Sequence, residues 1–361
     1  MAVPLFDTET PLAPLKPIIL ERLAEVVAEG QFVLGPQVQA FEGEFASYLG
    51  VRHVVGVGNG TDAITIALRA LGVAPGDEVI VPSFTFYATA EAVADAGATP
   101  VFCDVDHDTR NVTVETVRAV LTPRTRAIVA VDLFGLPAPV PELRELGPPV
   151  LEDAAQAAGA RLGDRMAGAL GDAATFSFYP SKNLGAFGDA GAIATDDDDV
   201  AELARALRFH GSRDKRTFQY VGYNSRLDEM QAAILRVLLP ELDGWCAGRR
   251  AAGRAYADAG LADHVGVPVV PPGSDPAWHL YVVTHPRADA LLAALAASGI
   301  QARAYYRRPL HRQPAMAQYA PGDGSLAVTD ELAATNIALP ISPVLAPAQA
   351  QEVVATLAAA V

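Results

Sequence analysis

Residues 53–82 read HVVGVGNGTDAITIALRALGVAPGDEVIVP. HVVGV is a short apolar run closed by glycine, which predicts a buried strand. GNGTDAITIALRALG then sets apolar side chains at helical spacing behind an Asn/Thr/Asp start, and EVIVP returns to strand. Strand, helix and strand with no hairpin-length turn make a βαβ unit with parallel strands. The alternation continues outward. FYATAEAVADAG predicts a helix, TPVFCDV a strand, VTVETVRAVL a helix, RAIVAVDLF a strand, PVPELREL a short helix and PPVLEDAAQ a strand. ATFSFYP and GAIAT add two strand-like segments. The expectation is an α/β protein with a mixed, mainly parallel sheet flanked by helices and joined by right-handed crossovers.

Before this core, residues 16–29 predict a helix stopped by Gly30, and VQAFEGEFASYLG a second one. After it, Asp196 to Asp199 open the helix VAELARALRF, where carboxylates suit the positive end of the helix dipole better than they suit a metal. Residues 227–260 are helical, with Pro240 kinking or dividing them. HLYVVTH is strand-like, and ADALLAALAASG and APAQAQEVVATLAAA are helices. The Pro/Gly-rich VPVVPPGSDPA separates these pieces. The organisation expected is a large domain over residues 1–244 and a smaller C-terminal α/β domain over 245–361.

Composition narrows the function. The 361 residues carry 27 Lys+Arg against 42 Asp+Glu, a net charge of −15, which disfavours a nucleic-acid partner. With 51% hydrophobic residues the chain has ample core. The richest apolar stretch, AAILRVLLP, contains Arg236 and ends at Pro240, so no membrane span is expected. The opening MAVPLFDTETPLAP has neither the basic nor the apolar part of a secretory leader. Cys103 and Cys246 are too few for a disulfide framework or a zinc site. A cytoplasmic protein with buried thiols is the expectation.

Only three of the basic residues are lysines, Lys16, Lys182 and Lys215. Lys182 stands in FSFYPSKNLGAFGDAGAIAT, after a strand and among Ser177, Ser181, Asn183 and three glycines. A lysine held there is a candidate for imine chemistry, although a surface-loop lysine fits the same residues. Asp153, in LEDAAQAAG, ends a predicted buried strand, where α/β sheets bind ligands. A carboxylate there needs a partner, unless it merely caps the next helix. The glycines of GNGTDA offer bare N–H groups at a helix start, fit for one phosphate or for an ordinary turn. A dinucleotide fingerprint is excluded, since Thr61 stands where its third glycine belongs and Asp77 precedes its strand. Together these pieces match pyridoxal phosphate. GNGTDA would cradle the phosphate, Asp153 would pair with the pyridine nitrogen, and Gln156 would reach the phenolic oxygen. Phe86 or Tyr87 would stack on the ring.

The motifs FVLGPQVQAFEGEFASYLG, GNGTDA, PSFTFYATAEAV, LEDAAQAAGA, FSFYPSKNLGAFGDAGAI, GYNSRLDEMQAAIL and YYRRPLHRQPA, in that order, resemble the DegT/DnrJ/EryC1/StrS family of nucleotide-sugar aminotransferases over nearly the whole chain. The resemblance implies the aspartate-aminotransferase type I fold, pyridoxal phosphate as cofactor with pyridoxamine phosphate as its intermediate form, and a homodimer with shared active sites. It implies that Lys182 bonds to the cofactor aldehyde, that Asp153 holds the ring nitrogen, and that Gln156 and Phe86 contact the ring. Gly60, Thr61, Asp62 and Ser177 would hold the phosphate, with Asn224 arriving from the second subunit. Arg226, Tyr305 and His311 would lie near the sugar nucleotide. Where several relatives read His-x-Tyr-Gly, this chain has Asp132-Leu133-Phe134-Gly135, a departure that bears on substrate contacts. The activity implied is transfer of an amino group from L-glutamate to a nucleotide-linked keto-deoxyhexose, giving an amino sugar nucleotide and 2-oxoglutarate. KNLGAFGDAG favours a 3-keto acceptor. A 4-keto sugar, a keto-cyclitol or a non-catalytic regulatory role are the alternatives.

Overall fold

A computed structural model describes residues 3–322 and 324–361; the first two residues of the opening segment lie outside that range. The helices are α1 (Glu9–Leu12), α2 (Lys16–Glu29), α3 (Pro36–Leu49), α4 (Gly60–Ala70), α5 (Ala88–Asp95), α6 (Val114–Arg118), α7 (Val140–Arg144), α8 (Asp198–Leu207), α9 (Glu229–Leu238), α10 (Leu242–Asp258), α11 (Ala288–Ala297), α12 (Ala327–Thr335) and α13 (Pro347–Ala360). The strands are β1 (His53–Val57), β2 (Glu78–Pro82), β3 (Thr99–Cys103), β4 (Thr125–Val131), β5 (Val150–Asp153), β6 (Arg161–Leu162), β7 (Arg165–Met166), β8 (Ala173–Ser177), β9 (Gly191–Thr195), β10 (Ser274–Asp275), β11 (Tyr281–Thr284) and β12 (Asn336–Leu339).

Seven strands form one sheet in the order β1-β9-β8-β5-β4-β2-β3. β8, β5, β4, β2 and β3 pair in parallel, whereas β9 is antiparallel to both its neighbours. Every residue of β2, β5 and β9 is buried, as expected for strands covered by helices on both faces. α4 packs against β8 and β9 on one side and α5 and α8 on the other, which explains its unbroken buried run from Ala63 to Leu68. The predicted α/β class and mainly parallel sheet are those observed.

The Pro240 break is a 3-10 turn, Leu239–Glu241, between α9 and α10. α10 runs without interruption through residue 245 and on to Asp258. VPVVPPGSDPA is more than a spacer, because Ser274 and Asp275 pair with β6 and Val269 N–H donates to the Asp108 carbonyl. β12 and α12 are absent from the sequence reading. β12 pairs antiparallel with β11, and their buried residues join Val3, Tyr256, Leu291 and Val353 in one apolar cluster. Leu280, Leu310 and Leu332 instead pack into the main core.

Proline at the first position of α3 leaves its other early N–H groups in need of acceptors. Glu229, fully buried at the start of α9, supplies them from far along the chain. Its Oε1 accepts from Gly35 N at 2.7 Å and Val38 N at 3.0 Å, and its Oε2 from Gln37 N at 2.8 Å.

Candidate active site

The C-terminal ends of the parallel strands converge on a cavity of about 730 Å³. Val131 ends β4, Asp153 ends β5, Ser177 ends β8, and Thr85 and Phe86 follow β2; all five line it. Asn59 caps α4 by accepting from Asp62 N at 2.8 Å, which presents Gly60, Thr61 and Asp62 to the same space. The absence of side chains is required here. A Cβ on Gly60 would stand 2.7 Å from that of Ser177, and one on Gly191 would stand 2.5 Å from the Asn59 backbone. The cradle between α4, β8 and β9 therefore closes only with glycine at both positions.

Lys182 lies on the turn after β8, where its N–H donates to the Tyr179 carbonyl at 2.8 Å and Ala186 N–H donates to the Phe178 carbonyl at 2.7 Å. Its amine makes no hydrogen bond among the described residues. Burial pulls the amine pKa down to about 8, with the Asp153 charge opposing that shift. Asp153 is itself buried, and burial pushes its carboxyl up. Ala155 N–H at 3.2 Å, the charge of Lys182 and the Thr89 hydroxyl at 3.3 Å work against that rise. A carboxylate and an amine thus face one cavity, with few polar partners of their own.

Gln156 is fixed from two directions. Its Oε1 accepts from Phe134 N at 2.8 Å, and its Nε2 donates to the Tyr306 hydroxyl at 3.2 Å. Phe86 is 55% exposed on the cavity rim, with its ring 6.0 Å from that of Tyr306. Of the two aromatic candidates only Phe86 lines the cavity; Tyr87 precedes α5 and does not.

Of the residues singled out from sequence, Gly60, Thr61, Asp62, Phe86, Asp153, Gln156, Ser177, Lys182 and Tyr305 come together here. Asn224 and Arg226 do not line this chain's cavity. Asn224 bridges to Phe209, and an Arg226 guanidinium nitrogen lies 3.4 Å from His210 Nε2. His311 also stands apart from the residues gathered at the cavity. It does not line the cavity, and both ring nitrogens are engaged elsewhere, Nδ1 with Ser83 Oγ at 2.7 Å and Nε2 with Asp330 at 3.2 Å. The departure at Asp132 lies in the core. Asp132 is wholly buried and outside the lining, beside the equally buried Glu152. Glu152 accepts from Gly168, Leu170 and Gly171 N–H groups at 2.7, 2.9 and 3.2 Å. Two adjacent carboxyls in the core cannot both ionise, and burial together with Glu152 raises the Asp132 carboxyl far enough to retain a proton.

The lining residues that the sequence reading did not single out include Phe6, Thr89, His279 and Tyr306. Tyr306 adjoins Tyr305, and Thr89 follows Phe86 by three residues at the start of α5, so both had a local signal. Phe6 had none.

Lys182, Asp153 and the glycine cradle together suit pyridoxal phosphate, and the fold is that of the aspartate aminotransferases. The family model of the DegT/DnrJ/EryC1/StrS aminotransferase family matches residues 15–358, and the chain belongs to that family. It is 46% identical over 358 residues to dTDP-3-amino-3,4,6-trideoxy-alpha-D-glucose transaminase of Streptomyces venezuelae, covering 98% of this chain and 94% of the relative. A crystal structure of DesV from S. venezuelae in complex with a ketimine intermediate superposes with a TM-score of 0.95 at 44% identity, covering 99% of this chain and 97% of the other. NtdA of Bacillus subtilis with bound cofactor PMP superposes at 0.85 and 31% identity, covering 94% and 81%. The chain is a pyridoxal-phosphate-dependent sugar aminotransferase.

Proposed function

We infer that this enzyme takes the amino group of L-glutamate and delivers it to the 3-keto group of a nucleotide-linked keto-deoxyhexose, leaving 2-oxoglutarate and an amino sugar nucleotide. The observation that carries the reading is the Lys182 amine, brought to about pKa 8 in a cavity that also holds Asp153 and the glycine cradle. The 3-amino product named for the S. venezuelae relative supports the position of the new amine.

The residues fit the cofactor. Thr61, Asp62 and Ser177 around Gly60 would hold its phosphate at the N-terminus of α4. Asp153 would face its pyridine nitrogen, steadied by Thr89 and Ala155. Phe86 would cover one ring face, and Gln156, held by Phe134 N–H, would meet the phenolic oxygen. When bound, the cofactor supplies the electron sink that makes the proton on the reacting carbon removable. Lys182 performs the proton transfer. With its pKa near 8, a useful share of the amine is neutral at physiological pH, so it can accept the proton from the reacting carbon of the donor and pass it to the adjacent cofactor carbon. Tyr305 would face the sugar.

A cytoplasmic homodimer is part of the reading. Asn224 is exposed, close in sequence to the exposed Phe218, Tyr220 and Val221, a surface that suits a second copy. Asn224 and Arg226 would then complete the partner's phosphate and nucleotide contacts.

The test is a visible spectrum of the protein reconstituted with pyridoxal phosphate, before and after L-glutamate, followed by a panel of 3-keto, 4-keto and cyclitol acceptors. A yellow band that glutamate bleaches and only a 3-keto sugar nucleotide restores is expected. Restoration by a 4-keto sugar alone overturns the regiochemistry. Turnover by Lys182→Ala would overturn the assignment of Lys182.

A further inference from the structure

The cavity lining is short of cations. Five carboxylates, Asp62, Glu91, Asp95, Asp153 and Asp189, face a single basic side chain, Lys182, and no arginine is present among the described lining residues. An amino-acid donor brings a carboxylate bonded directly to the carbon that reacts at Lys182. That carboxylate must therefore rest beside Lys182, on groups that can donate a hydrogen bond without being consumed in the chemistry.

His279 has those properties. It is 5% exposed, lines the cavity, and packs its ring on Phe6 with centroids 6.0 Å apart and 23° between planes. Its Nδ1 is sealed from solvent and has no hydrogen-bond partner. A sealed N–H without an acceptor is the costlier arrangement of the ring, so the proton belongs on Nε2. Burial and the charges of Lys182 and Arg249 hold the ring neutral. The main chain locks the segment in place, because Ala277 N–H donates to the Gly135 carbonyl at 2.8 Å and Leu280 N–H to the Phe134 carbonyl at 3.3 Å. Behind it lies Arg249, 6% exposed, whose Nη1 donates only to main-chain carbonyls, those of Trp278 (3.0 Å), His279 (3.5 Å) and Ile341 (3.4 Å). Its Nε has no partner, and no carboxylate pairs with the guanidinium among the described residues. A buried cation without a counter-ion is costly where it stands, and its field extends to the ring next to it.

Resting on the aminotransferase reading above, we propose that His279 binds the α-carboxylate of the amino donor through its Nε2–H, with Arg249 behind it supplying positive potential in place of an arginine within this chain's own lining. The alternative roles for these side chains fit less well. A second general base beside Lys182 would need a ring able to take a proton, and the two neighbouring cations oppose that.

The test uses the reconstituted enzyme and follows the bleaching of its yellow band at increasing L-glutamate in wild type, His279→Phe and His279→Gln. In His279→Phe the glutamate concentration at half-bleaching should rise ten- to a hundredfold, with the KM for the sugar acceptor unchanged. His279→Gln keeps a donor and should recover most of that loss. A side chain with a merely structural role would shift thermal stability and leave the half-bleaching concentration where it is, which refutes the proposal. Should His279→Phe fail to fold, an unchanged value in His279→Gln and His279→Ala refutes it equally. If glutamate does not bleach even the wild-type enzyme, the choice of donor falls. The same three proteins are then titrated with L-aspartate and L-alanine, and equal half-bleaching across the variants refutes the role of His279.

Discussion

Lys182 is expected to weaken the apoprotein that it serves. Its pKa falls from 10.5 to about 8 because burial disfavours the ammonium more than Asp153 favours it. A tenfold change in proton affinity is worth about 1.4 kcal/mol, so holding the charged form inside the fold costs roughly 3 kcal/mol at pH 7. Below pH 8 the amine is charged in both folded and unfolded chains, and the full penalty applies. Between pH 8 and 10.5 the unfolded chain binds the extra proton, so stability climbs with pH as the penalty disappears. Lys182→Met keeps the length and removes the charge. Against wild-type apoprotein in urea, this variant should gain up to about 3 kcal/mol at pH 7 and nearly nothing at pH 10.5. Taking the difference between the proteins at each pH cancels other titrations. Equal stability at pH 7, or a gain that grows toward pH 10.5, would refute the account of a destabilised ammonium.

Two further outcomes follow from the geometry. Gly60→Ala drives a methyl to 2.7 Å from Ser177 Cβ; it should weaken pyridoxal phosphate by about 1–3 kcal/mol, read by equilibrium dialysis as a five- to 150-fold higher Kd. Asp132→Asn keeps an acceptor for Ala138 N–H, now at 2.8 Å, and replaces a buried carboxyl whose pKa burial and Glu152 push up with a neutral amide. The wild-type pair holds its proton only in the fold, so it loses stability as pH rises above the unfolded carboxyl range. Urea melts should show the variant matching wild type at the acid end of the carboxyl range and exceeding it by a margin that widens as pH rises above that range.

The strands were legible because covered parallel strands are near-continuous apolar runs, as in EVIVP and the AIVAV of β4, and because Gly30 and Asn59 punctuate their helices by ordinary capping rules. β12 escaped because NIAL follows α12 directly, and four residues without a turn signal carry too little pattern to separate strand from helix. At the site, Lys182 and Asp153 stood out because charge beside a buried strand is chemically conspicuous. His279 did not, since HLYVVTH reads as a strand, and only packing shows one imidazole sealed beside an amine and an arginine. His311 is the opposite case. Its sequence neighbourhood is characteristic, while its nitrogens are bound to Ser83 and Asp330.

The capping of α3 by Glu229 also has a consequence for biosynthesis. The carboxylate and the N–H groups it serves are up to 194 residues apart. At about 5–20 residues per second, the ribosome takes on the order of 10–40 s to make the intervening chain. Throughout that interval the first turn of α3 can draw only on water, so the start of that helix stays uncapped while the strands of the central sheet are being made. A nascent chain halted before residue 229 should therefore leave the first turn of α3 open to amide exchange, however complete the sheet behind it has become.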